Sequence, residues 1–297
     1  MNFEQLVHPF IKELTNPPQE KLIKEGSVNK DAIREALKLG FPDITPRTMS
    51  RDKNYKKAGK LEFKDLPDAL FAYPSVVPQK TFGDLIVDWF DHDHVNWREE
   101  YETFHAAACQ TVQIFLRDQL YTEESCTYGK AQKVVNMTFK HIYCLSEGKK
   151  REWFLECHMA LDFFTLEWFK RNIAEHGAKY TLGKVDNWSA LQNPIATEYI
   201  GKENKVYYSY HYLVQLIRMY FESQKPFGEL CPLEAEFIIW PEIQLRLCAE
   251  DLIYQLAPTK YSRNTKNAKD EKQKIQNLSV KDLLTEVEKT IYEYPIP

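Results

Sequence analysis

The spacing of the apolar residues is the feature that most constrains how this chain can fold, because these residues mostly recur at intervals of three and four. That spacing places apolar side chains on one face of a helix and leaves the opposite face polar. The longest example runs from residue 97 to residue 120, with an apolar face formed by Phe104, Ala108, Val112, Phe115 and Leu116. The sequence has only 10 glycines, too few for a sheet protein rich in tight turns. We therefore predict a mainly α fold in which residues 97–120 form a long amphipathic helix.

The first part of the predicted architecture, residues 1–80, combines N-terminal helices with a proline-rich strap packed on the body of the protein. Pro67, Pro74 and Pro78 define the strap. Each proline removes a backbone donor and disfavours helix at the residue before it. We therefore expect an irregular connection there, without regular helix.

The remaining residues are predicted to form a helical core and a C-terminal extension. The core, residues 81–258, holds most of the helical patterns, including one at 206–223. The extension, residues 259–297, begins with a polar and basic stretch at 259–277, which we predict to be a loop. A final helix follows, with Ser279 in the position of its N-terminal cap.

The sequence lacks the patterns of a membrane or secreted protein. No run of about 18 apolar residues occurs, and the first residues lack the basic and then apolar pattern of a signal peptide. We expect a soluble, cytoplasmic protein with no membrane partner. Its oligomeric state cannot be read from these patterns.

The cysteines point to neither a disulfide scaffold nor a zinc ribbon, because no two of them form a Cys-x-x-Cys pair. We predict buried free thiols, which behave as small apolar side chains. The six residues concerned are Cys109, Cys126, Cys144, Cys157, Cys231 and Cys248.

The charge distribution is segregated although the formal net charge is only −4. Arg51–Lys64, Lys130–Arg151 and Lys260–Lys274 each contain six basic residues against one or two acidic ones. If these segments converge on one face, they can bind phosphates. The alternative is that they are scattered, solvated lysines.

A lysine-rich helix followed by an aspartate is the candidate catalytic motif. Lys133 and Lys140 are seven residues apart on a predicted helix from Lys130 to Leu145, and therefore lie on nearly the same face. Asp162 stands at the start of the next predicted helix. An amine close to a carboxylate can attack an electron-poor carbon while the acid stabilises the developing cation. The structural alternatives are a helix cap for Asp162 and a solvated surface position for Lys133.

In this region the sequence resembles the helix-hairpin-helix DNA glycosylases, especially the archaeal 8-oxoguanine glycosylase branch. The resemblance rests on the Gln132-Lys133 pair, on Lys140, and on the segment Met159-Ala160-Leu161-Asp162, and it covers roughly residues 125–170. The hairpin Tyr128-Gly129-Lys130 lacks the second glycine of the family, and Ala160 replaces the usual proline. The choice between Lys130 and Lys133 as nucleophile is therefore open.

The resemblance implies a helical body with a cleft and an enzyme that flips a modified base out of double-stranded DNA and excises it. It assigns catalysis to Lys133 and Asp162, with strand cleavage as a possible second activity, and needs neither a metal nor another cofactor. The substrate base would be an oxidised purine or a hypermodified phage pyrimidine, the latter in antiviral defence. The residues it implies for DNA contact are Gly129, Lys130, Lys140, Lys149 and Lys150.

Two other functions compete with this interpretation. Asp91-His92-Asp93-His94 is rich in metal ligands and suggests a metal-dependent phosphohydrolase, although adjacent residues cannot all face one ion. A zinc set from His105, Cys109, Cys157 and His158 lacks the standard ligand spacing. A non-enzymatic helical interaction protein is the other alternative.

Overall fold

A computed structural model describes residues 6–7, 21–24, 27–44, 49–50, 61–173, 184–201, 204–223, 230–261 and 266–293. These residues are mainly helical, as the apolar spacing predicts. Most of the basic segment Arg51–Lys64 lies outside them. The helices are α1 (Lys30–Gly40), α2 (Leu66–Phe71), α3 (Phe82–Asp91), α4 (Trp97–Asp118), α5 (Tyr128–Leu145), α6 (Phe163–Asn172), α7 (Tyr210–Ser223), α8 (Pro232–Leu256), α9 (Pro258–Tyr261), α10 (Lys266–Gln276) and α11 (Val280–Glu293).

The strands of the described residues are short and form two antiparallel pairs, β1 (Ile23–Lys24) with β2 (Ser27–Val28), and β3 (Glu198–Ile200) with β4 (Val206–Tyr208). The predicted helix at 206–223 is wrong in its first residues, since those residues pair with β3. Aromatic and β-branched side chains favour such a pairing over a helix start.

Helix α5 is the buried centre of the first part of the chain. Thr127 caps it by accepting a hydrogen bond from the backbone of Lys130. Helix α1 packs closely on it, because Gly40 has no side chain and a Cβ there would come within 2.7 Å of the Thr138 nitrogen. Every residue of α5 is buried except Lys133, which is partly exposed. The candidate nucleophile is therefore the one position at which this helix reaches the surface.

The proline-rich strap is more regular than predicted. Phe63–Asp65 forms a 3₁₀ turn that runs directly into α2, and Pro67 stands in the first turn of that helix. A proline is tolerated there because its missing N–H would have no partner within the helix anyway. Beyond α2 the chain is irregular, with one isolated bridge between Pro74 and Thr81.

The chain divides into two compact units, Met1–Phe237 and Ile238–Pro297. The division falls inside α8, and the predicted boundary at residue 258 lies within the second unit. The reason is a hydrophobic cluster on both sides of residue 258, formed by Ala249, Ile253, Ala257, Tyr261, Ile275 and Leu283.

The predicted loop at 259–277 is wrong, because most of α9 and all of α10 lie in it. Ala268 and Ile275 are seven residues apart and both are buried, so two apolar side chains suffice to anchor a largely polar helix. The predicted cap of the last helix is confirmed. Ser279 accepts a hydrogen bond from the backbone of Asp282 at 3.1 Å.

All six cysteines are free thiols, and five are buried as predicted, whereas Cys248 is exposed. Among the residues that the structure describes, no helix is both long and apolar enough to cross a membrane.

Candidate active site

Lys133 and Asp162 meet in the first unit. The Lys133 Nζ lies 3.5 Å from the Asp162 Oδ2, and the two side chains are 13% and 10% exposed. The pair joins the second turn of α5 to the start of α6. Partial burial strengthens the attraction relative to a surface ion pair, because less water screens the charges.

The first turn of α6 fixes the carboxylate of Asp162. Its Oδ1 accepts hydrogen bonds from the backbone of Phe164 and Thr165, at 2.9 and 3.0 Å. In return, the Thr165 hydroxyl accepts a hydrogen bond from the Asp162 nitrogen at 2.8 Å. The predicted capping position is thus confirmed, and capping does not exclude a chemical role. Oδ1 serves the helix while Oδ2 faces Lys133.

Trp188 covers the other side of Lys133, with the Nζ 4.9 Å from the centre of an indole ring. A cation over an aromatic face is stabilised by the ring's quadrupole. Trp188 begins a short 3₁₀ turn, Trp188–Ala190, that packs on the first turn of α5. Sequence reasoning did not identify this residue, since tryptophan is an ordinary core residue.

Gly129 has a packing role that differs from the predicted contact with DNA. A Cβ at this position would come within 1.8 Å of the Trp188 carbonyl oxygen. The Gly129 N–H donates to the carbonyl of Leu191 at 2.9 Å. That amide is therefore already occupied by protein, and the glycine is needed for the close approach of residues 188–191.

Lys130 and Lys140, also predicted to contact DNA, lie in the interior. Lys130 is 3% exposed, its Nζ donates to the Glu124 carbonyl at 2.9 Å, and burial lowers the pKa of its ammonium. Lys140 forms an ion pair of 2.8 Å with Glu236, in which both side chains are 3% exposed. Neither ammonium is presented to a surface phosphate. Their burial argues against a contact with surface phosphates and favours Lys133 over Lys130 as the candidate nucleophile.

Lys149 and Lys150 are exposed, as contact with DNA requires. Lys149 lies 3.4 Å from Glu147 and Lys150 lies 3.8 Å from Glu152, in ion pairs that water and salt screen strongly. Lys150 adopts a left-handed backbone conformation with φ of 56°. These lysines follow the end of α5.

Asp43 is a further acid, missed by sequence reasoning, that interacts electrostatically with both Lys133 and Asp162. It lies in the 3₁₀ turn Phe41–Ile44, which follows α1 and packs on α5. Burial raises the pKa of its carboxyl to about 6, and the opposing effect of Lys133 and Lys140 is too weak to cancel this shift. A carboxyl with such a pKa can accept or release a proton close to neutral pH. No local pattern marks it, because tertiary packing alone brings this turn to Lys133.

Glu236, in the first turns of α8, is also missed from the sequence. Its Oε1 accepts from Lys140, and its Oε2 accepts from the Ala160 nitrogen at 2.8 Å. The ion pair therefore holds the segment that leads to Asp162. The Lys140–Glu236 salt bridge is therefore joined by a hydrogen bond to the segment that carries Asp162.

Both histidines of the Asp91-His92-Asp93-His94 motif have hydrogen-bond partners within the protein. His92 contacts the Asp88 carbonyl, and His94 lies between Glu100 and the Trp89 carbonyl. In the described part of the chain, no group of three His, Cys, Asp or Glu side chains has the arrangement of a metal site.

Comparison of the chain with protein-family models, with curated proteins and with solved structures found no match.

Proposed function

We propose that this protein is a DNA glycosylase that excises a modified base, with Lys133 as the nucleophile and Asp162 as the stabilising carboxylate. The observation that carries the proposal is the 3.5 Å approach of the Lys133 Nζ to the Asp162 Oδ2 in a largely buried position. The exposure pattern of α5 supports it, since Lys133 alone reaches out of an otherwise buried helix.

In the proposed reaction, Lys133 first loses the proton that its ion pair with Asp162 stabilises, and its amine then attacks the sugar carbon that carries the base. A carbon–nitrogen bond forms to Nζ, the glycosidic bond breaks, and the base leaves with the bonding electron pair and takes up the proton that the new Nζ–carbon adduct releases. The ionised Asp162 stabilises the positive charge that develops on the sugar. The target base must be flipped out of the duplex to reach these groups, and we propose a cleft beside them for this purpose.

Contacts with the DNA backbone are proposed for Lys149 and Lys150, because these lysines are exposed. Lys130 and Lys140 of α5 are not included, because both are buried. Such contacts position the duplex without reading its sequence. The substrate is proposed to be either an oxidised purine or a hypermodified pyrimidine. If Lys133 forms a Schiff base with the opened sugar, strand cleavage can follow base release.

Borohydride trapping tests the proposal directly. The protein is incubated with duplexes that carry oxidised purines, hypermodified pyrimidines or only ordinary bases, and a Schiff base is reduced to a stable covalent complex. We expect a complex with one class of modified duplex, lost in Lys133→Gln and kept in Lys130→Gln. Absence of trapping and of base release with every duplex would favour a non-enzymatic interaction protein. Loss of trapping only in Lys130→Gln would move the nucleophile to Lys130.

A further inference from the structure

The side-chain amide of Gln132 bridges the helix of Lys133 and the segment of Asp162. Its Nε2 donates to the Leu161 carbonyl at 2.8 Å, and its Oε1 accepts from the Leu161 nitrogen at 3.2 Å. The same Nε2 donates to the Gly129 carbonyl at 2.8 Å. Gln132 is adjacent to Lys133, and Leu161 is adjacent to Asp162. One fully buried amide therefore links the neighbours of both catalytic candidates.

The segment from residue 159 to residue 162 has no regular secondary structure, so side chains must satisfy its backbone groups. Asn136 donates to the Met159 carbonyl at 3.1 Å, and Glu236 accepts from the Ala160 nitrogen. Gln132 binds both polar groups of a single peptide residue in this segment, and that residue directly precedes Asp162. Gln132 therefore ties the residue before Asp162 directly to α5 through two hydrogen bonds.

Asn136 fixes the orientation of the Gln132 amide. The Asn136 Nδ2 donates to the Gln132 Oε1 at 2.9 Å. The end of the Gln132 amide that faces Asn136 must therefore be its oxygen, because only the oxygen can accept. The same Nδ2 lies 2.9 Å from the hydroxyl of Tyr210. Rotation of the Gln132 amide by half a turn would place two NH₂ groups against each other. A single orientation of the amide is thus compatible with its surroundings.

A chain of buried hydrogen bonds sets the direction of donation at Tyr210. Burial alone would raise the pKa of Glu102, but the hydrogen bond from His158 and the charge of Arg218, which donates to the Glu102 Oε1 at 2.7 Å, hold that pKa below its usual range. The ionised Glu102 accepts from the His158 Nε2 at 3.0 Å. Burial lowers the pKa of His158, so its Nδ1 is an acceptor and receives the Tyr210 hydroxyl proton at 3.0 Å. The Tyr210 oxygen is then an acceptor for Asn136, and it shares the two protons of the Asn136 Nδ2 with the Gln132 Oε1 and the Met159 carbonyl.

His105 closes the network on the other side of Asn136. Its Nε2 lies 2.9 Å from the Asn136 Oδ1. In this hydrogen bond the Asn136 oxygen accepts and the His105 Nε2 donates. Its Nδ1 lies 3.3 Å from the Tyr128 hydroxyl. Burial holds the pKa of His105 well below its ordinary value, so the ring is neutral with its proton on Nε2. Both ends of the network therefore impose the same orientation on Asn136.

We infer that Gln132 is a positioning residue that sets the separation of the Lys133 amine and the Asp162 carboxylate. A displacement of about 1 Å in a catalytic group costs about 10²-fold in rate. A side chain locked by surrounding hydrogen bonds prevents such a displacement. The catalytic consequence rests on the proposed function, whereas the geometric one does not.

The test uses Gln132→Glu and Gln132→Met in the full chain. Glutamate keeps an acceptor for the Leu161 nitrogen and loses both donors, whereas methionine loses all of these bonds at similar size. Thr111→Val is the matched control. Its hydroxyl is also fully buried, but it donates to the Ala107 carbonyl and accepts from the Val76 nitrogen, both far along the chain from residues 159–162.

The readouts are base release and a crystal structure of each variant that folds. We expect Gln132→Glu to lengthen the distance from the Lys133 Nζ to the Asp162 Oδ2 by about 1 Å and to lower kcat about 10²-fold with KM unchanged. Activity of this variant should partly recover at lower pH, where the introduced carboxyl is protonated and regains one donor. Thr111→Val should lower the Tm and keep kcat.

Two results separate this inference from the proposed function. An unchanged distance in Gln132→Glu, or an equal loss of kcat in Thr111→Val at matched Tm, would overturn the positioning role. If the distance lengthens but the wild-type protein releases no base, the positioning role stands and the glycosylase proposal falls. Should Gln132→Met fail to fold, the glutamate variant decides between these outcomes.

Discussion

Lys140 and Glu236 form an ion pair of 2.8 Å in which both side chains are 3% exposed, seven residues along α5 from the Lys133–Asp162 pair. The two lysines share a helix face, yet only Lys133 reaches the surface. The other carboxylate oxygen of Glu236 accepts from the Ala160 nitrogen. The interior pair therefore contacts the backbone at Ala160, two residues before Asp162 of the candidate site.

The interior pair predicts a large change in stability. Lys140→Met is expected to lower the free energy of unfolding by about 3–5 kcal/mol, because it leaves the Glu236 charge buried without that cation. In the double variant Lys140→Met/Glu236→Gln the charge is gone and the amide oxygen can still accept from Ala160, so most of the loss should be recovered. Urea denaturation of the three proteins measures this. Wild-type stability with weaker DNA binding in Lys140→Met would restore the phosphate contact first predicted for this lysine.

Two substitutions of Asp162 should distinguish its role as a helix cap from its chemical role. Asn is as good a cap as Asp but cannot form the ion pair with Lys133, so Asp162→Asn should lose only the stability that the ion pair contributes, whereas Asp162→Ala should lose about 1 kcal/mol more. Both variants lack the carboxylate, so base release should fall by about 10²-fold or more in each. Rate measurements at saturating DNA, alongside thermal unfolding, distinguish the two roles. If Asp162→Asn keeps full activity, the carboxylate has no part in catalysis.

The raised pKa of Asp43 predicts a pH-dependent stability. Its carboxyl binds a proton more tightly in the folded protein, with a pKa of about 6, than in the unfolded chain. Ionisation of Asp43 therefore opposes folding. The contribution of Asp43 to the free energy of unfolding falls as pH rises from about 4 to about 6 and stays low at higher pH. Asp43→Asn should stabilise the protein by about 1–3 kcal/mol at pH 7.5 and by little at pH values near 4. Denaturation at the two pH values checks the sign, and equal effects at both would contradict the assigned shift.

The exposed lysines after α5 predict a change in the salt dependence of DNA binding. When both Lys149 and Lys150 are replaced with glutamine, the slope of the logarithm of the DNA-binding constant against the logarithm of salt concentration should become less steep by about 2. Each phosphate that the variant no longer contacts keeps its counterion, so about two fewer counterions are released on binding. Lys30→Gln/Lys38→Gln is the matched control, because these exposed lysines are also ion-paired, with Asp84 and Asp68, and lie outside the basic segments. Titrations at several salt concentrations provide the slopes. Equal slopes for both double variants would exclude a specific contact by Lys149 and Lys150.

Several elements followed from the sequence because local physics fixes them. The apolar spacing of residues 97–120 produces a helix over Trp97–Asp118, and Ser279 caps the last helix by its own side chain. The helix over 266–276 was missed because two apolar residues, Ala268 and Ile275, are too weak a periodic signal against a polar background.

The sequence by itself determined that the chain is mainly helical and that Lys133 and Asp162 stand at the starts of successive helices, since periodicity and capping depend on residues a few positions apart. Only the tertiary structure decided which lysine is exposed and which acids surround it. Burial of Lys140 depends on Glu236, almost a hundred positions later, and Asp43 reaches the site through the packing of α1 on α5. Such contacts leave no local pattern, because the charge of a side chain is the same in the sequence whether it ends in water or in the core.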